Sequence, residues 1–115
     1  ALAAWGEAAL SLMLGPQSVA LTRVAIAEAG QGDLGGTLLA QGRGAQMPKL
    51  ARWLASRDGL VFEDGPEQAA EDFLALLKGD TQLLRLMDAE SPLAPPQIQH
   101  RAARAARAFM RLYAV

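Results

Sequence analysis

Alanine and leucine recur along this chain at three- and four-residue steps, and glycine or proline interrupts each run before it grows long. That pattern limits the fold more than any other feature, because it matches the helical period and not the two-residue period of a strand. β-branched residues are sparse and never alternate with polar ones, and aromatics amount to 5% of the sequence. A sheet would have little to build from. The expected fold class is all-α, as a single domain over residues 1–115. That length buries one modest core.

The interruptions divide the chain into five or six helical segments. The first covers residues 2–14, with Leu2, Trp5, Ala9, Leu12 and Met13 at helical steps, and stops at Gly15-Pro16. The second starts at Pro16 and carries Val19, Thr22, Ala25 and Ile26. Asp33 is expected to cap a short third helix through Leu34, Leu38 and Leu39. Gly35, Gly36, Gly42 and Gly44 make it the weakest, since an interior glycine costs roughly 1 kcal/mol against alanine. The fourth lies near residues 45–57, with Met47, Leu50, Ala51 and Leu54 on one face and Pro48 expected in the first turn. Leu60-Val61-Phe62 reads as an apolar link tucked against the core. The fifth opens at Pro66, with Glu67 in its first turn, and continues to residue 87. A proline-rich connector over 88–96 leads into a final helix that ends near residue 114.

Charge and composition narrow the chemistry. A net charge of −1, from 11 basic and 12 acidic residues, argues against a surface built throughout for nucleic acid. The absence of cysteine excludes disulfides, thiol catalysis and thiolate metal sites, and fits a reducing, cytoplasmic setting. Residues 1–14 are apolar but lack a basic start and carry Glu7, so they read as a core helix rather than a signal or membrane segment. His100 is the single histidine, leaving no pair for a metal, and no cofactor is implied. Ser11, Ser18, Ser56 and Ser91 lack the strand–turn–helix setting of a nucleophile elbow. Gly42-Arg43-Gly44 lacks the Gly-Lys-Ser/Thr ending of a phosphate loop. The chain is not expected to be an enzyme.

The last two helical segments carry the most information. Around the final one, Ile98, Ala102, Ala105, Ala106, Phe109, Leu112 and Tyr113 share a broad face, with Arg104, Arg107 and Arg111 opposite. This reads as a core-facing helix with a solvated basic back; an anion-binding basic stripe is the sharper alternative. The fifth segment has two apolar stripes, Ala69, Ala70, Phe73, Leu77 and Leu84, and then Ala75, Leu76, Gly79, Leu83 and Leu86. So wide an arc needs cover on two sides. Gly79 would let another helix approach closely, or else marks a kink. The expected dimer interface is therefore Ala75, Leu76, Gly79, Leu83 and Leu86 with Ala102, Ala105, Ala106 and Phe109. Two helices from each copy would form a four-helix bundle with two-fold symmetry.

The run Pro66-Glu67-Gln68-Ala69-Ala70-Glu71-Asp72-Phe73-Leu74-Ala75-Leu76-Leu77-Lys78-Gly79-Asp80 resembles the penultimate helix of TetR-family transcriptional regulators, in particular their AefR-like C-terminal domain. Leu21-Thr22-Arg23-Val24-Ala25-Ile26-Ala27-Glu28-Ala29 is similar to that subfamily's helix after a Gly-Pro break, and Phe109-Met110-Arg111-Leu112-Tyr113-Ala114 to its closing helix. The resemblance implies an all-α domain that binds a small effector, dimerises through its last two helices, and serves an N-terminal DNA-binding unit. The chain begins at Ala1 without a helix-turn-helix before it, so DNA contact is expected only through that missing part, as for a fragment or trimmed form. The glycines around residues 35–44 depart from the family pattern.

An effector pocket is expected from the large residues on the inward faces of four helices: Trp5, Leu12, Met13, Met47, Leu50, Trp53, Phe73 and Leu77. Thr22, Glu28 and Gln41 are candidate polar anchors. The competing reading is a structural helical oligomerisation domain with a filled core and no ligand. No membrane partner is expected.

Overall fold

Glycine and proline mark the helix boundaries in the computed structural model, which describes residues 1–88 and 92–115. Its helices are α1 (Leu2–Met13), α2 (Pro16–Ala27), α3 (Leu34–Gln41), α4 (Arg43–Ala55), α5 (Pro66–Lys78), α6 (Thr81–Leu86) and α7 (Pro95–Tyr113). Pro16, Pro66 and Pro95 each sit in a helix's first turn, where their missing N–H costs nothing. Gln97 Oε1 also accepts the Ala94 N–H at 2.7 Å, satisfying one donor ahead of α7. Ala89, Glu90 and Ser91, within the expected connector, lie outside the described residues.

The core sits where α1, α4, α5 and α7 meet. Leu10, Leu50, Leu54, Phe73, Leu77 and Phe109 are its largest fully buried side chains. Phe73 stands at the centre, edge-on to Phe109 at 5.8 Å and tilted against Trp5 at 6.0 Å. Such aromatic pairs add about 0.5–1.5 kcal/mol beyond the area they bury. α1 lies along α7 and touches α5 through Gly6, where a Cβ would meet Leu77 and Phe73 at 3.1 Å. α4 packs on α5, and α5 on α7.

The remaining helices are peripheral. α2 buries only Val19, while α3 and α6 bury no residue fully. Arg23 fastens α2 to α6, donating from Nε to the Leu86 carbonyl at 3.0 Å and from Nη2 to the Arg85 carbonyl at 2.9 Å. A guanidinium suits that position, because the last carbonyls of a helix lack internal partners and carry partial negative charge. The molecule measures 45 × 31 × 17 Å, so it is no more than two helix layers thick. Its radius of gyration of 15.0 Å exceeds the roughly 13 Å usual for a compact domain of this length.

The fifth segment divides in two. Gly79 adopts φ +47°, ψ −124°, ending α5 and turning the chain into α6. Two side chains take up the carbonyls exposed there: Thr81 Oγ1 donates to Lys78 O at 2.6 Å, and Arg101 Nε to Leu77 O at 2.6 Å. This break raises the number of helices among the described residues to seven. α4 also begins earlier than expected, at Arg43, so Pro48 lies inside it rather than in its first turn. Pro48 and Gly44 are both exposed, which leaves the unpaired Gly44 carbonyl open to water. Asp33 does precede α3, but its side chain makes no capping bond.

The apolar link and the C-terminus close the fold together. Leu60 and Ala114 form a single antiparallel bridge, with Val61 N donating to Tyr113 O at 2.9 Å and Val115 N to Gly59 O at 2.8 Å. Tyr113 stacks on Phe109 at 4.7 Å and packs against Phe62 at 5.8 Å, while its hydroxyl donates to Asp72 Oδ2. Phe62 is thus tucked inward, as its sequence setting implies.

Candidate functional site

α4 presents Gln46, Leu50 and Trp53 at successive helical steps, with Lys49 one turn before Trp53 on the same side. Opposite them stands the start of α1 with Leu2 and Trp5. α1 is held by α7 and α4 by α5, so the space between α1 and α4 stays open. The result is a cleft of about 270 Å³ lined by Ala1, Leu2, Trp5, Gln46, Lys49, Leu50 and Trp53. Small-ligand sites usually run from about 300 Å³ upward, so the cleft falls just short of that range and has room only for a compact molecule. Its floor is Leu2 and Leu50, both buried; its sides are two indoles, and its polar groups are an amide and an ammonium. The Arg57 guanidinium lies 4.8 Å from the Trp53 ring centre, a cation–π contact that steadies the indole.

A second, wider groove of about 440 Å³ runs between α4 and the start of α5, lined by Arg43, Met47, Arg52, Glu67 and Glu71 among others. Arg43 and Glu71 pair across it at 3.2 Å. Among the described residues Arg52 and Glu67 make no ion pair there, but the groove offers no aromatic wall. The tryptophan cleft is the better ligand site.

Three of the eight expected pocket residues, Trp5, Leu50 and Trp53, meet at this cleft. Met47 opens onto the second groove. Phe73 and Leu77 lie wholly inside the core and line neither space. Met13 packs against the core from its edge, and Leu12 is 75% exposed. Lys49 and Gln46 were not among the expected residues. Their signal was the spacing from Trp53, which places both on the face that carries the indole. Thr22, Glu28 and Gln41 lie on α2, beyond its end and on α3, away from the cleft.

The expected interface residues also separate. Ala102, Ala105 and Phe109 are buried in the chain's own core, because that face of α7 covers α1 and α5. Gly79 is not a flat spot on a helix. It is a chain turn with Arg101 Nη2 lying over the place a Cβ would occupy. Ala106 and Leu86 are half-buried, while Ala75, Leu76 and Leu83 remain on the outer side of α5 and α6. Arg104, Arg107 and Arg111 face solvent and have no acidic partner among the described residues.

One titratable group is clearly perturbed, and it lies away from the cleft. The hydrogen bond to Asp72, helped by burial and by the charges of Asp72 and Asp64, pushes the Tyr113 phenol up to about 12. A phenol held neutral in this way is a structural tie rather than an acid–base catalyst. Among the described residues no group of three or more acidic or histidine side chains stands ready for a metal ion. No single described helix is long and apolar enough to cross a membrane.

A helical slab built on α1, α4, α5 and the long final helix α7, with a cleft between α1 and α4, is the architecture of a TetR-type regulatory domain. The structure superposes on the crystal structure of a TetR transcriptional regulator from Agrobacterium tumefaciens with a TM-score of 0.82 and 26% identity, covering 99% of this chain. This chain spans 56% of that one. Over residues 1–115 the sequence matches the family described as the AefR-like transcriptional repressor, C-terminal domain. The chain belongs to that family. No curated protein matches it.

Proposed function

We propose that this domain senses a small effector and dimerises on behalf of a TetR-like repressor whose DNA-binding part lies outside these residues. Family membership supports the general role, that of a regulator's ligand-binding and dimerisation part. The observation that carries the dimer is the outer side of α5 and α6, where Leu76, Leu83 and Met87 are 36%, 56% and 70% exposed. Leu76 lies before the turn at Gly79 and Leu83 and Met87 after it, on a molecule only 17 Å thick. A second copy laid against that side would bury them and restore an ordinary ratio of volume to surface. The interface then comprises Ala75, Leu76 and Leu83 with Met87, not the buried face of α7.

Sedimentation at micromolar concentration should give a dimer, and the double variant L76E/L83E should give a folded monomer, because paired carboxylates in an apolar interface repel and lose hydration. A dimer of unchanged affinity in that variant refutes this interface. The tryptophan cleft supports the sensing role. A ligand bound only by the folded state must raise the melting temperature, so a screen of small apolar compounds that leaves it unmoved would favour a purely structural oligomerisation domain.

A further inference from the structure

The cleft between α1 and α4 has a chemical bias that neither its size nor the family explains. α4 carries Arg43, Lys49 and Arg52 and no acidic residue, within a chain whose net charge is −1. Arg57 follows directly and stacks on Trp53. Arg43 is taken up by Glu71, but Lys49 has no acidic partner among the described residues. No residue lining the cleft is acidic, and its charged groups are the Lys49 side chain and the α-amino group of Ala1. A ligand settling between the two indoles would meet an ammonium group at one side, an amide from Gln46 beside it, and apolar surface elsewhere.

We infer that the cleft takes a small apolar carboxylate, with its hydrocarbon or aromatic body between Trp5 and Trp53 and its carboxylate on Lys49. This rests on reading the cleft as an effector site and names the class of effector. Three physical arguments favour an anion over a neutral or cationic ligand. A cation would meet Lys49 with like charge and find no carboxylate to offset it. The indole faces could attract a cation, but Arg57 already occupies a position over Trp53. A carboxylate gains a charge-assisted hydrogen bond to Lys49, stronger than the bond an uncharged polar group would make. Gln46 can donate through its amide to the second oxygen. The apolar body is required because most of the lining is Leu2, Trp5, Leu50 and Trp53, and covering that surface supplies the affinity.

The sequence contains 2 tryptophans, and both line the cleft. Intrinsic indole fluorescence of the 115-residue chain therefore reads this site directly. The test titrates 4-tert-butylbenzoate and its uncharged amide, which share one body, at constant ionic strength. Saturable change with the carboxylate, about tenfold weaker with the amide, is the expected result. With the Ala1 α-amine acetylated, Lys49→Met, at an exposed position that should leave helicity unchanged by circular dichroism, should abolish the preference for the carboxylate while weak binding of the body remains. Equal affinity for acid and amide, or an undiminished preference in Lys49→Met, would overturn the carboxylate assignment and leave the cleft as an effector site. Saturable binding by neither compound would overturn both.

Discussion

Replacing Gly79 with alanine should destabilise the fold, by an amount that follows from two features of its surroundings. At φ +47°, ψ −124° the backbone lies where a Cβ is strained, and holding a non-glycine residue in such a region costs of order 1–3 kcal/mol. A Cβ there would also press on Arg101 Nη2, displacing the guanidinium whose Nε bonds to Leu77 O at 2.6 Å. For a chain of 115 residues, 1 kcal/mol moves the midpoint by roughly 4 °C, so the melting temperature should fall by about 4–12 °C. Differential scanning calorimetry in the L76E/L83E background, at one fixed protein concentration, measures this with the proposed assembly removed. The background variant Arg101→Met separates the two causes, since the side-chain clash vanishes there and the backbone strain stays. The sign is decisive. If residues 66–87 formed one continuous helix, glycine to alanine would stabilise by about 1 kcal/mol, and a raised midpoint would refute the break at Gly79.

Two further perturbations probe the core and its closure. Phe73→Ala removes the ring that joins Trp5 and Phe109 at a fully buried position; urea unfolding should show a loss of about 3–5 kcal/mol, and a loss below about 1 kcal/mol would mean the centre of the core lies elsewhere. Tyr113 is the single tyrosine, so ultraviolet titration reads its phenol directly. Because its pKa is raised from 10.0 to about 12 in the folded state, the stability it contributes is complete below pH 10.0 and disappears as the pH rises toward about 12. Asp72→Asn should return the phenol toward its ordinary value; an unmoved titration would show that Asp72 is not the cause.

Much of the architecture was legible because helix formation and burial both follow local spacing. The faces of α4 and α7 were set by apolar residues three and four apart, and Leu50, Leu54, Ile98, Ala102 and Phe109 are indeed buried. Helix starts at Pro16 and Pro66 follow from the fixed φ of proline, while the final helix begins at Pro95, one residue before the expected start at Pro96. The candidate site was less legible. Periodicity marks a residue as inward-facing without saying whether its neighbours close around it, and so Phe73 and Leu77 were grouped with Trp5 and Trp53. The core encloses the first pair, while α1 and α4 leave a gap beside the second.

What the sequence determined by itself was the fold class, the placement of most helices and the absence of thiol chemistry, all of which depend on a few neighbouring residues or on composition. Tertiary structure decided the rest. It used the apolar face of α7, with Ala102, Ala105 and Phe109, for the chain's own core rather than for a second copy, and it left Leu76 and Leu83 outside. It also broke the fifth segment at Gly79, where Arg101, 22 positions away in the chain (101 − 79), supplies a hydrogen bond to the freed carbonyl of Leu77. A helix–turn choice of that kind depends on a partner brought close only by folding, and local spacing carries no record of it.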